Sequence, residues 1–305
     1  MEDLDRAQLS ELLAAQFGSA CGNLEFSPLG EDSWQYRAGE LWVSVRRDLR
    51  GHVPAAYQAA YEMHCGGLDF VLAPLAGRDG RTVHKVGCYP VVVFPYLQVT
   101  QVAMSTPGPE EKGRIVSLVD RVHRAVPAAE IPEETYTLPF EEDLERALHF
   151  AERTRDAGPY ARKFAELFRL HREYITSLRR EAAELGAICR AEGGTPVLTH
   201  GEPSAPNILC HGDELLLADW GGARWGPPER DWYHVMRTLD ERVVTRCRPS
   251  WLRFYHVRWV LSEIAEYASV FSREHTGSAD DHAMWRRLTN YLPVPQPSAS
   301  SPEGP

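Results

Sequence analysis

Glu202, Asn207 and Asp219 are three oxygen-bearing side chains whose types and spacing suit one chemistry. A carboxylate such as Glu202 can take the proton of an acceptor hydroxyl or only orient that hydroxyl. The transition state of phosphoryl transfer is loose, so either role is useful. The amide oxygen of an Asn and the carboxylate of an Asp are hard ligands that hold magnesium against the phosphates of a nucleotide. Together the three point to moving a phosphoryl group onto a hydroxyl.

The elements that must position them lie in residues 197–235, VLTHGEPSAPNILCHGDELLLADWGGARWGPPERDWYHV. Two apolar pieces, Pro196–Thr199 and Leu215–Ala218, read as strands that each end at a polar site. His211-Gly212-Asp213 reads as a hairpin turn between apolar runs. Pairing the two pieces with each other would bring Glu202, Asn207 and Asp219 to one end. The plainer alternative is a β-hairpin with acidic turn residues and no chemistry.

The Asn of a kinase catalytic loop follows the catalytic carboxylate by five residues, as Asn207 follows Glu202. The stretch resembles the aminoglycoside phosphotransferase family, the small-molecule branch of the protein-kinase-like fold. Its pattern is His-Gly-Asp, four residues, Asn, and then an Asp-centred metal motif. His200, Gly201, Asn207, Asp219 and Asp231 match. Glu202 departs, because the family usually has Asp there. The His-Gly-Glu-Pro variant, with the run Pro227–Trp232, resembles a subgroup common in actinomycete antibiotic producers. His211-Gly212-Asp213 is a literal copy of the first three letters, but seven residues past His211 stands Ala218, whereas seven past His200 stands Asn207.

The resemblance implies an α+β, bilobal protein-kinase-like fold. Residues 1–97 would form a small nucleotide-binding lobe with antiparallel sheet, 98–292 a large, mostly helical catalytic and substrate lobe, and 293–305 a disordered tail. It implies Glu202, Asn207 and Asp219 as catalytic residues, with Asn207 and Asp219 holding Mg²⁺. His200 would tie the catalytic loop to the metal strand, and Asp231 would brace that loop through its backbone. The implied reaction moves the γ-phosphate of ATP or GTP to a hydroxyl of a small molecule, with an antibiotic as acceptor in the resistance reading. Two alternatives stand beside it: a metabolic kinase acting on an amino alcohol or sugar, and a pseudokinase that only binds.

Upstream, Leu4–Phe17 reads as an amphipathic helix, and Leu24–Pro28, Trp34–Arg37 and Glu40–Arg46 read as strands. The loop Leu29–Ser33 either covers the nucleotide phosphates or is an ordinary hairpin turn. Ser44 stands where a kinase-like third strand carries its phosphate-binding Lys. Arg46, two residues on, shares the face of Ser44. It either replaces that cation or is an exposed strand-end charge. Ala55–Cys65 reads as a helix, on which Glu62 is a candidate partner for the cation or a solvent-facing acid. Strands are expected at Phe70–Leu75, Thr82–Val86 and Tyr89–Pro95. By resemblance the hinge that binds adenine follows, at Phe94, Tyr96 and Leu97. Helices are expected at Glu110–Val126, Pro139–Arg155, Tyr160–Glu192, Trp251–Phe271 and His282–Leu292. Trp251, Phe254, Tyr255, Trp259, Ile264 and Tyr267 should pack the large lobe and are candidates to wall the acceptor pocket.

Composition sets outer limits. The chain of 305 residues is 43% hydrophobic, enough for a large core or two lobes. Its 33 basic and 43 acidic residues give a net charge of −10, which argues against general nucleic-acid binding. The six cysteines are scattered without zinc-like pairing, so free thiols in a reducing cytoplasm are expected. The acidic start lacks the order of a signal peptide, and no apolar run has the length of a membrane span.

Overall fold

The computed structural model describes residues 4–18, 24–27, 33–102, 107–153, 156–240 and 247–293. The loop at 29–32, Cys21 and the tail beyond 293 lie outside the described residues. In chain order the elements are α1 (Arg6–Phe17), β1 (Glu25–Ser27), β2 (Ser33–Ala38), β3 (Leu41–Arg46), α2 (Pro54–Cys65), β4 (Val83–Val86), β5 (Tyr89–Pro95), β6 (Thr100–Gln101), α3 (Pro109–His123), α4 (Glu141–Arg153), α5 (Ala161–Leu170), α6 (Arg172–Glu192), β7 (Val197–Thr199), β8 (Ile208–His211), β9 (Glu214–Leu217), β10 (Arg224–Gly226), α7 (Glu229–Leu239), α8 (Pro249–Phe271) and α9 (Ala279–Asn290). The class is α+β, as expected from the sequence.

The chain divides into two compact units. One holds residues 1–135 and 194–248, the other 136–193 and 249–305. α3 and the 194–248 stretch belong to the sheet-bearing unit.

In the first unit β1 to β5 form one antiparallel sheet in the order β1-β2-β3-β5-β4. Alternation divides the central strand β3 between two faces. Val43 and Val45 are fully buried with Leu9 and Leu13 of α1 and with Tyr36, Val91 and Val93. Ser44 and Arg46 take the other face and are also buried, at 5% and 8% exposed. Arg46 is therefore not an exposed strand-end charge. Asp5 caps α1 by accepting the N–H groups of Ala7 and Gln8 at 2.9 and 3.1 Å.

The pairing around the motif differs from the expected one. β9 pairs with β8, not with β7, and β7 pairs with β10. The cause is local. His211 and Glu214 close a two-residue turn in which Gly212 has φ +59°. Such a turn selects the strand immediately before it as partner. Phe70–Leu75 also differs, since it makes a single parallel bridge at Val71 to Leu217. Leu72 N–H donates to Leu217 O at 3.0 Å and Leu75 N–H to Val93 O at 2.7 Å. The segment thus divides its bonds between two strands, and Pro74 within it has no N–H to give.

The second unit is helical. Phe164, Phe168, Ile175, Leu178, Val257, Leu261, Ile264 and Phe271 share its core. The expected single helix Tyr160–Glu192 breaks at His171, whose ψ of 10° leaves the helical range. The break lets Phe164 and Phe168 on one side and Ile175 and Leu178 on the other bury into the same core. On α8, Trp251, Phe254, Tyr255, Ile264 and Tyr267 are buried, and Trp259 packs at the margin. Cys65, Cys88 and Cys210 are free thiols. No helix among the described residues is long and apolar enough to cross a membrane.

Candidate active site

The site is framed by the first turn of α7, which starts straight after Pro227-Pro228. Asp231 there is fully buried and accepts three hydrogen bonds. They come from His200 N–H at 2.9 Å, Gly201 N–H at 2.7 Å and His123 Nε2–H at 3.0 Å. Burial alone would raise its carboxyl, but the bond and charge of His123, with the charge of Arg230, hold it at about 2. Neighbouring Arg230 donates to Thr199 Oγ1 and to Gly222 O, both at 2.8 Å, and pairs with Glu134 at 3.2 Å. Two adjacent residues of one helix turn thus clamp the ends of β7 and β10. Gly201 is required twice over. Its φ is +107°, and a Cβ would come within 2.4 Å of Arg230 Nη2.

His200 joins the loop that carries Glu202 to the end of β9. Its Nδ1 accepts the Glu202 N–H at 3.2 Å, and its Nε2–H donates to Ala218 O at 2.7 Å. These bonds require the neutral Nε2–H tautomer. Burial pushes the imidazole pKa down, which keeps it neutral.

Beyond His200 the backbone turns back on itself. Ser204 N–H and Asn207 Nδ2–H both donate to Glu202 O, at 2.8 and 2.9 Å. Ala218 N–H donates to Asn207 O at 2.9 Å, extending the β8–β9 register by one step. Asn207 and Asp219 therefore stand on neighbouring chain segments at one end of the hairpin. Because Nδ2 of Asn207 is turned to Glu202 O, its Oδ1 remains for a ligand. Asp219 is exposed and sits at φ 63°, ψ 56°. That left-handed conformation costs a non-glycine residue about 1 kcal/mol or more. Glu202 is exposed, and its Oε1 accepts the Ser204 hydroxyl at 3.2 Å.

Asn207 Oδ1 and the Asp219 carboxylate fit magnesium, which takes oxygen ligands and keeps places for phosphate oxygens and water. Among the described residues no three His, Cys, Asp or Glu gather into a cage for another metal.

Arg46 reaches this end of the unit through α2. Its Nη2 donates to His52 Nε2 at 2.8 Å, and His52 Nδ1 lies 2.7 Å from Tyr57 Oη. Burial pushes the Tyr57 phenol up. The charge of Asp219 adds to that rise while Arg46 opposes it. Glu62, the sequence candidate for the cation's partner, is engaged elsewhere. It accepts Ala129 N–H at 2.9 Å and the Gln58 amide at 3.3 Å. Helix geometry explains the exchange. Glu62 is five residues after Tyr57, which rotates it about 140° around α2.

The expected adenine hinge comprises Phe94, Tyr96 and Leu97. Tyr96 N–H donates to Glu40 O at 2.8 Å, so it is not offered to a base. The Arg37 guanidinium lies 3.9 Å above the Tyr96 ring. Phe94 is paired with Trp42 in the sheet, and Phe94 and Leu97 are both half-buried.

Sequence reasoning passed over His52, Tyr57, His123 and Arg230. Arg230 had a signal, since it adjoins Asp231 in a run already singled out. His123 had none, lying 108 residues from its partner.

The sequence model of the phosphotransferase enzyme family, APH, matches residues 45–267. The chain belongs to that family. This phosphotransferase is 46% identical over 282 residues to Protein StrN of Streptomyces griseus, covering 90% of this chain and 87% of the relative. Among solved structures it resembles spectinomycin phosphotransferase APH(9)-Ia in complex with ADP and spectinomycin, at TM-score 0.70, 14% identity and 94% of each chain. It also resembles APH(2")-IIia in complex with GDP and kanamycin, at TM-score 0.56 and 15% identity over 94% of this chain and 96% of that one. These structural likenesses establish the kinase-like fold.

One buried group near the site should govern acid stability. His234 on α7 is 6% exposed, and its Nδ1 has no hydrogen-bond partner among the described residues. Burial pushes its pKa down to about 3. The Arg230 and Arg237 charges add to the fall and Asp231 opposes it. The folded chain thus keeps His234 neutral while the unfolded chain takes a proton below about pH 6.5. Its stabilising share is complete above that pH and falls by about 1.4 kcal/mol per unit as the pH drops toward 3. Urea unfolding measured from pH 7 to 4 should show that slope, and His234→Phe should flatten it.

Proposed function

We propose that this phosphotransferase moves the γ-phosphate of ATP or GTP to a hydroxyl of a small molecule, with an antibiotic as the acceptor class to test first. The supporting observation is the juxtaposition of Glu202, Asn207 and Asp219 on a segment braced by His200 and Asp231. Asn207 and Asp219 would hold Mg²⁺, which neutralises phosphate charge when bound. Glu202 orients the acceptor hydroxyl and takes its proton. Its extra methylene relative to Asp sets the acceptor farther from the loop. Arg46 supplies the cation that Ser44 lacks. The lobe boundary at 97/98 and a cytoplasmic location belong to the same reading. The antibiotic preference draws on the spectinomycin and kanamycin held by the two structural relatives.

The test is a panel of aminoglycosides, spectinomycin, amino alcohols and sugars, incubated with ATP or GTP and Mg²⁺ and followed by mass. One panel member should gain a phosphoryl group. Gain only on amino alcohols or sugars would move the protein to metabolism, and no nucleotide turnover with any acceptor would overturn the reading.

Two variants probe the assigned roles. Glu202→Gln keeps a hydrogen-bond acceptor but cannot take a proton, so turnover should fall about a hundredfold or more with nucleotide binding kept. Full activity would remove Glu202 from the mechanism. Arg46→Ala should raise the KM for nucleotide, and a larger effect from Arg47→Ala would assign the cation to the wrong residue.

A further inference from the structure

We infer that His52 is a positioning residue that couples Arg46 to the turn carrying Asp219. The inference rests on the reading of Arg46 as the nucleotide cation. Arg46 Nη2 can only donate, so His52 Nε2, 2.8 Å away, must accept. The ring proton then sits on Nδ1 and is donated to Tyr57 Oη at 2.7 Å. His52 is thereby the neutral Nδ1–H tautomer with both nitrogens engaged. The same ring rests on the Asp219 turn. A Cβ on Gly221 would come within 1.6 Å of His52 Nδ1, so the ring fills the space of any side chain at 221. The backbone repeats the link, since Val53 N–H donates to Gly221 O at 2.9 Å. The end of β3, the start of α2 and the Asp219 turn thus form one jointed assembly with His52 at the joint. A cation and a metal ligand must address oxygens of the same polyphosphate, and small misplacements there are costly in rate.

The experiment compares His52→Gln, His52→Asn and His52→Ala. Gln can place an amide oxygen where Nε2 stood and accept from Arg46. Asn reaches only the Nδ1 position and serves Tyr57. Ala serves neither. The nucleotide KM should rise about tenfold or more in Ala and Asn, as expected for losing a bond to a charged group. It should be largely restored in Gln, and the acceptor KM should be unchanged throughout. On an Arg46→Ala background, His52→Ala should add no further rise. Nitrogen NMR of the ring gives a readout independent of turnover, with Nδ1 protonated and Nε2 accepting. Equal loss in Gln and Asn, additive effects with Arg46→Ala, or a protonated Nε2 would overturn the coupling. A wild-type protein that binds no nucleotide overturns the functional reading and the coupling with it. A wild type that binds, with an unchanged KM in His52→Ala, overturns the coupling alone.

Discussion

Asp219→Ala should give a folded protein that transfers no phosphoryl group. The side chain is exposed, and among the described residues no hydrogen bond holds it, so its removal leaves no buried group stranded. Its loss matters because it is one of two side chains whose oxygens fit the metal. The backbone supplies an internal control. Asp219 sits at φ 63°. Glycine accepts that conformation freely and alanine does not, so Asp219→Gly should be about 1 kcal/mol more stable than Asp219→Ala. Both should be equally inactive. Thermal unfolding and turnover of the pair separate the conformational role from the chemical one. Calorimetric titration should show wild-type nucleotide affinity rising with Mg²⁺ and the variants indifferent to it. A wild type with the same affinity with and without Mg²⁺ would remove Asp219 from metal binding.

Asp231→Asn should lose both stability and activity. The amide has the carboxylate's shape but only one accepting oxygen. Its NH₂ must then face one of the donors now served by the other oxygen: Gly201 N–H on one side, His200 N–H and His123 on the other. The negative charge beside Arg230 and His123 is lost as well. Breaking a buried charged network from one side costs about 3–5 kcal/mol. Turnover should fall with it, because the loop that carries Glu202 loses its anchor. The pH dependence gives a signature specific to this carboxylate. Its folded pKa of about 2 lies below the ordinary 3.8. The stabilisation is therefore complete above about pH 4 and lost as pH falls through 2. The stability gap between wild type and Asp231→Asn, measured in urea, should narrow over that window. A gap that stays constant would mean that the charge of Asp231 does not carry the effect.

Much of the site was legible because its parts are local. The five-residue step from Glu202 to Asn207, the two-residue turn after His211, the strand before Asp219 and the proline start of α7 are all properties of short segments. Their residue types restrict the backbone wherever they occur. The helix stripes and the central antiparallel strands followed from periodicity in the same way. These features were enough to place the chain in its family and its fold class.

What the tertiary structure decided is the choice among partners that the sequence leaves equivalent. β7 could have paired with β9, and only the turn geometry gave β9 to β8 and left β7 to β10. Glu62 had the right charge for Arg46, but its angle around α2 sent it to Ala129, and the nearer His52 and Tyr57 took the guanidinium. Tyr96 N–H could have served a base, yet Glu40 O reached it first. His123 found Asp231 across 108 residues. Hydrogen bonds and ion pairs act over a few ångströms, so their partners are set by the folded path of the chain. The residues of 197–235 determined by themselves which groups could do the chemistry; the fold determined which other groups hold them in place.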